Sequence, residues 1–279
     1  MDAIIGFFIR RVVPCFIALL QCLFPCLFSA AQPLAPQTGA GVAEPVYSVA
    51  EGDDGVRRAE FTLLTYNVKN CQGGDAIAGI AAEIADTGAQ VVFLQEIDCG
   101  TKRVGGKDEA RLLAAALGFA YAFFPAMEYD GGLYGTAILS AFPLAGAALT
   151  ALPVTGGMEP RALGQADILV GGTPLRLFVT HLSYESAAVR AEQLMEISKA
   201  LNAAPGGSFL LGGDFNVSSY GEYALLTGAV AAHSAPVPGV SRIDNIFCDP
   251  AKTLRNARGV PTGYSDHDLV LAEAAVPVD

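Results

Sequence analysis

From Phe61 onward the chain alternates apolar runs of strand length with stretches whose apolar residues recur at helical spacing. FTLLTYNV reads as a strand. Ile77, Ile80 and Ile84 then fall three to four residues apart, which places one apolar stripe on a helix over about 75–87. QVVFLQE is a second strand and EARLLAAALG a second helix. AYAFFPA, YGTAILS and PLAGAALTAL follow as short strands, and RALGQADILV and PLRLFVTHL form two more, joined by the turn GGTP. Ala187, Ala191, Leu194, Ile197 and Leu201 mark one helix face, SFLLGGDF is a strand, and RIDNIFC and DLVLAEAAV close the series. No repeat and no shift of composition breaks the chain after residue 59. Helices mixed with strands, the strands dense in the middle and at the end, imply an α+β fold: two packed sheets flanked by helices in one domain over 59–279.

The first 58 residues do not fit that pattern. Arg10 and Arg11 precede an apolar run over 12–31 that has no polar face and ends in Ser29-Ala30-Ala31, small residues suited to signal-peptidase cleavage. At about 20 residues the run also has the length of a membrane span. Residues 1–31 therefore read as a signal peptide, favoured by the small-residue site, or as an uncleaved N-terminal membrane anchor. Both keep the arginines cytoplasmic and export the domain. Residues 32–58, rich in Pro, Gly, Ala and acidic groups, read as a linker.

Composition narrows the partners. The chain of 279 residues carries a formal net charge of −11, which argues against a broad basic surface for nucleic acid. A phosphate-bearing substrate would need a metal or a local basic pocket. Of six cysteines, Cys71, Cys99 and Cys248 lie beyond the leader, so at most one internal disulfide can form. Cys71 and Cys99, each just past a strand, are the best-placed pair; three separate thiols is the simpler reading, and no zinc-like spacing is present.

The chemistry collects where strands end. LLGGDFNVSS runs apolar into Asp214, with Asn216 two positions on and hence on the same side of an extended chain. A turn would also account for Asp and Asn here. Yet TYNV delivers Asn67, LQE delivers Glu96, THL ends in His181, RIDNIF embeds Asp244 in an apolar strand, and SDH sets Asp266 and His267 just before the last one. A buried carboxylate is costly unless neutralised, paired or metal-bound. So many independent turn residues in one domain is a poor explanation. Two of only three histidines fall in these segments, whereas His233 sits in an apparent loop and reads as structural. Lys69 reads as solvated.

The ordered series TYNV, LQE, GTAILS, THL, GGDFN, RIDNIF and SDH resembles the endonuclease/exonuclease/phosphatase superfamily, whose fold is that of pancreatic deoxyribonuclease, over residues 60–276. EIDCGTKRVGGKDEARLLAAALG, EYDGGLYGTAILS and EPRAL look most like a bacterial subgroup of metal-dependent hydrolases, with Thr136 where the family often has Asn. The resemblance implies a four-layer α/β/β/α sandwich and phosphoester cleavage with magnesium or manganese. By the same resemblance Glu96, Asn67 and Asp266 serve the metal, and Asp214 orients or deprotonates the attacking water with Asn216 beside it. His267, fixed by Asp244, binds the phosphate, His181 protonates a leaving group, and Arg161 contacts substrate, although an edge-strand arginine is an equal reading. The implied function is an exported phosphodiesterase or phosphatase, monomeric, acting on a small or lipid-linked phosphoester. A secreted DNA or RNA nuclease is the alternative, and a non-catalytic binding domain a remoter one.

Overall fold

The computed structural model describes residues 34–278. In chain order the strands are β1 (Gln37–Gly39), β2 (Ser48–Glu51), β3 (Arg57–Asn67), β4 (Val91–Cys99), β5 (Ala120–Tyr129), β6 (Gly132–Ser140) and β7 (Ala145–Ala151). They continue as β8 (Ala162–Val170), β9 (Thr173–His181), β10 (Phe209–Asp214), β11 (Val230–Ala231), β12 (Asp244–Cys248), β13 (Thr253–Val260) and β14 (Leu269–Pro277). The principal helices are α1 (Ile77–Thr87), α2 (Glu109–Leu117) and α3 (Ala187–Asn202). One mixed sheet runs β1-β5-β6-β4-β3-β14-β13, with β2 also paired to β3; the other runs β11-β12-β10-β9-β8-β7.

Alternation along the strands builds three apolar layers. Phe61, Leu63 and Phe93 of the first sheet share one buried core with Leu177, Val179 and Leu210 of the second. The opposite face of the first sheet, with Leu64, Tyr66 and Val92, packs on Ile80 and Ile84 of α1 and Leu113 of α2. The outer face of the second sheet, with Phe178, Leu211 and Phe247, packs on Leu194, Ile197 and Leu201 of α3. This is the α/β/β/α sandwich expected.

Gly212 explains part of the glycine pair before Asp214. A Cβ there would lie 2.2 Å from the Phe93 ring, so only glycine lets that ring cross between the sheets. A Cβ on Gly213 would meet the Thr180 carbonyl oxygen at 2.5 Å.

Two expectations change. The segment expected as a linker is not a free spacer over its described part: β1 pairs antiparallel with β5 and β2 with β3. Backbone hydrogen bonds hold these strands, and β2 is exposed throughout, so no apolar alternation marked it. β13 was also missed, because its RNARGV is a polar edge pairing only with β14. Cys71, Cys99 and Cys248 are free thiols, the simpler of the two sequence readings, and the Cys71–Cys99 pair is not formed. Cys99 turns its sulfur to Gln37 Oε1 at 3.4 Å, while Cys71 is buried beside Glu109. The signal or anchor expected at 1–31 lies outside the described residues. Among the described residues no helix is long and apolar enough to cross a membrane.

Candidate active site

The inward-facing rows that build the central core each end in a polar group. On β3 the row through Phe61 and Leu63 ends at Asn67, and on β9 the row through Leu177 and Val179 ends at His181. On β10 Leu210 and Gly212 lead to Asp214, and β12 begins its inward row with Asp244. Register brings these ends together, since Asp214 stands beside His181 on one side and Asp244 on the other.

Glu96 arrives differently. Even-numbered Val92 and Leu94 face the helices, and so does odd-numbered Ile97, because the pairing of β4 with β6 shifts register between Leu94 and Ile97. That bulge switches faces, turning Glu96 inward with a left-handed backbone, φ 58°. A non-glycine residue there is strained, and such strain concentrates at functional sites.

Asn67 joins the two carboxylates. Its amide nitrogen donates to Glu96 Oε1 at 2.9 Å and to Asp214 Oδ2 at 3.2 Å, while its oxygen accepts the Lys69 backbone N–H at 3.1 Å. That backbone donor fixes which way the amide points. Asn67 therefore orients the carboxylates rather than offering them an oxygen. Asp214 also accepts the Asn216 backbone N–H at 3.0 Å, and Asn216, in a left-handed conformation, ties its side chain to the Leu182 carbonyl at 3.0 Å.

Burial, and then the negative charge of Asp244, push the Asp214 carboxyl up to about 7. Asp244, itself raised first by burial, accepts a 2.9 Å hydrogen bond from His267 Nδ1. Burial works against a charge on His267. The Asp244 bond and the carboxylates of Asp244, Asp214 and Asp266 outweigh it and push the imidazole up to about 9. His267 Nε2 then faces Asp214 Oδ2 at 3.8 Å, too far for a direct hydrogen bond. His181 Nε2 lies 3.5 Å from the same oxygen, but burial first and the cationic Arg161 and His267 next hold this ring well below its ordinary value. These effects favour the neutral ring.

These groups line a cleft of about 320 Å³ that includes Glu96, Arg161, His181, Asp214, Asn216 and His267. Asp266 is not brought into it. That carboxylate sits on an adjoining depression with Lys69, whose ammonium it holds at 2.8 Å, so Lys69 is paired rather than merely solvated. The bond from Lys69 keeps Asp266 below the usual carboxylate range. Arg103, Tyr129 and Tyr134 also line the cleft, on the stretches after Gly100 and around Tyr129 to Tyr134 that sequence reading marks as setting the substrate without giving any residue a role. Glu159 and Tyr184 line it too and were missed, because no apolar run flags a polar terminus there.

A family model described as the Endonuclease/Exonuclease/phosphatase family matches residues 64–267, a span that contains every site residue named above. The chain belongs to this family. Solved structures agree on the fold. An endonuclease/exonuclease/phosphatase family protein from Bacteroides thetaiotaomicron superposes with TM-score 0.66 at 16% identity, covering 79% of this chain and 96% of that one. A mannosyl-6-phosphatase from the same organism gives 0.62 at 18% identity, covering 77% and 99%. The human Nocturnin catalytic domain with a bound sulfate anion gives 0.62 at 18%, covering 82% and 97%. A search of curated proteins finds no match. As a family member the protein is an enzyme, a metal-dependent hydrolase of phosphoesters.

The residues present fit a divalent cation. Glu96, its carboxylate fixed by Asn67, supplies hard oxygen donors of the kind magnesium or manganese takes. Asp214, Asp244 and His267 also place one ligand atom each within 4.8 Å of one another. In that second set His267 Nδ1 is already engaged by Asp244 at 2.9 Å.

Proposed function

We propose that the protein hydrolyses a small phosphodiester or phosphomonoester by in-line attack of water, with magnesium or manganese as its metal, as a monomer outside the cytoplasm. The observation that carries this reading is the convergence, in one cleft, of the buried Asp214 carboxylate with His267, whose ring is held by a second buried carboxylate, Asp244. Glu96 would hold the cation, with Asn67 fixing its carboxylate. When bound, the cation supplies charge to polarise a phosphoryl oxygen.

Asp214 takes the proton from the attacking water at Oδ2, and a carboxyl near pH 7 is well matched to that task. Asn67, the Asn216 backbone N–H and neutral His181 keep it oriented. Nε2–H of His267 donates to the phosphoryl oxygen that gains charge, while Asp244 fixes the opposite ring nitrogen. Arg161 adds positive charge in the same cleft. Asp266 acts from outside, through its charge on His267.

The acidic balance of the chain supports a small substrate over long nucleic acid. The leader at 1–31 supports export, with membrane anchoring where it is not cleaved.

The test is hydrolysis of mono- and bis-nitrophenyl phosphate by metal-stripped protein, with and without added magnesium or manganese. Metal-dependent turnover is expected, falling at least about a hundredfold in Asp214→Asn, the scale of removing a catalytic base. Turnover that ignores both metal and substitution would overturn the reading.

A further inference from the structure

Part of the cleft, lined by Arg103, Tyr129, Glu159 and Arg161, is not engaged by the water-activating groups. We infer that it is a specificity subsite for the hydroxyl-bearing ring of a phosphate monoester, that is, a sugar phosphate. The inference rests on the phosphoesterase reading above.

Glu159 defines what the subsite recognises. Its Oε1 lies 3.1 Å from the Arg161 guanidinium, while the side chain as a whole stays 26% exposed where it lines the cleft. A hydroxyl can donate to that carboxylate. An ionised phosphoryl oxygen can only accept.

The adjoining wall is flat and preformed. Asp98, fully buried, grips the Arg103 guanidinium at 2.6 and 2.7 Å. That guanidinium lies 4.6 Å from the Tyr129 ring centre and 5.4 Å from that of Tyr134. Backbone N–H groups of Lys102 and Arg103 bind Asp130 at 3.0 and 2.8 Å, strapping this loop to the β5–β6 turn. Tyr129 nevertheless stays 40% exposed, and Tyr184, after β9, stays 63% exposed. Both line the cleft, where the C–H face of a sugar can pack against an aromatic ring.

Charge disfavours a second phosphate. Both guanidiniums here are already paired, Arg103 with Asp98 and Arg161 with Glu159, so a second phosphate would meet a carboxylate beside each.

The experiment compares kcat/KM of the full-length, magnesium-loaded enzyme on glucose, mannose and ribose phosphates, propyl phosphate and glucose 1,6-bisphosphate. The best sugar phosphate should exceed propyl phosphate by about tenfold or more, and Tyr129→Ala should cut that ratio about fivefold, the scale of one aromatic contact. Glu159→Gln should raise the bisphosphate-to-monophosphate ratio about tenfold, since it keeps an acceptor oxygen and removes the charge. Propyl phosphate used as well as every sugar phosphate would overturn the inference. So would a Glu159→Gln ratio that does not move. If nitrophenyl phosphates are cleaved with metal while those ratios stay flat, only the subsite is wrong. No metal-dependent turnover of any ester would remove the phosphoesterase reading itself.

Discussion

His267 and Asp214 set the expected pH behaviour. Attack requires Asp214 as carboxylate and His267 as imidazolium, so activity should rise as pH passes about 7 and fall as it passes about 9. The upper limb depends on Asp244. In Asp244→Asn the hydrogen bond loses its charge, only Asp214 and Asp266 remain to oppose burial, and the imidazole pKa drops toward its ordinary value. The alkaline limb should therefore move down by about two pH units, with a rate loss of roughly a hundredfold at pH 9. A pH–rate profile of the two proteins checks this, and an unmoved alkaline limb would show that Asp244 does not hold the proton on His267. Asn67, His181, Asp214 and Asp244 were legible in the sequence because an apolar run has little reason to end inward on a polar group. Arg103 and Glu159 were not, because their partners, Asp98 and Arg161, are joined to them by side-chain geometry that spacing does not encode.

At the scale of elements, sequence pattern recovered the strands and helices whose apolar rows face a core, and it lost those held by backbone pairing alone. β4 shows the limit most clearly. Strict alternation predicts Glu96 on the helix side with Val92 and Leu94, and only the bulge between Leu94 and Ile97 turns it into the cleft. β10 carries the complementary constraint. Because a Cβ at Gly212 would meet Phe93 at 2.2 Å, Gly212→Val must push that ring or part the sheets directly beneath Asp214. Overpacking of this kind costs about 1–3 kcal/mol. The variant should unfold at lower denaturant than wild type and lose activity while still folded, because Asp214 moves with its strand. A Gly212→Val protein with wild-type stability would show that the sheets yield there without strain.

Over the whole molecule, the cleft wall is tied to a buried acid far from the hydrolytic groups in role. Glu109, at the start of α2, is fully buried and accepts the Asp98 backbone N–H at 2.8 Å, so it braces the residue that grips Arg103. Burial first, then the charge of Asp98, push its carboxyl up to about 7 from an ordinary 4.5. The folded protein therefore binds this proton more tightly than the unfolded chain, and stability from this group is complete below about 4.5 and declines until about 7. Above that range the carboxylate is ionised in both states and leaves a standing penalty on the order of 3 kcal/mol. Glu109→Gln keeps an oxygen for the Asp98 N–H and cannot ionise. Its advantage over wild type should grow by about 2–3 kcal/mol, or several degrees in Tm, between pH 5 and pH 8. Thermal unfolding of both proteins at the two pH values decides the point. A gain present equally at both would mean that packing, and not the buried charge, limits this corner of the fold.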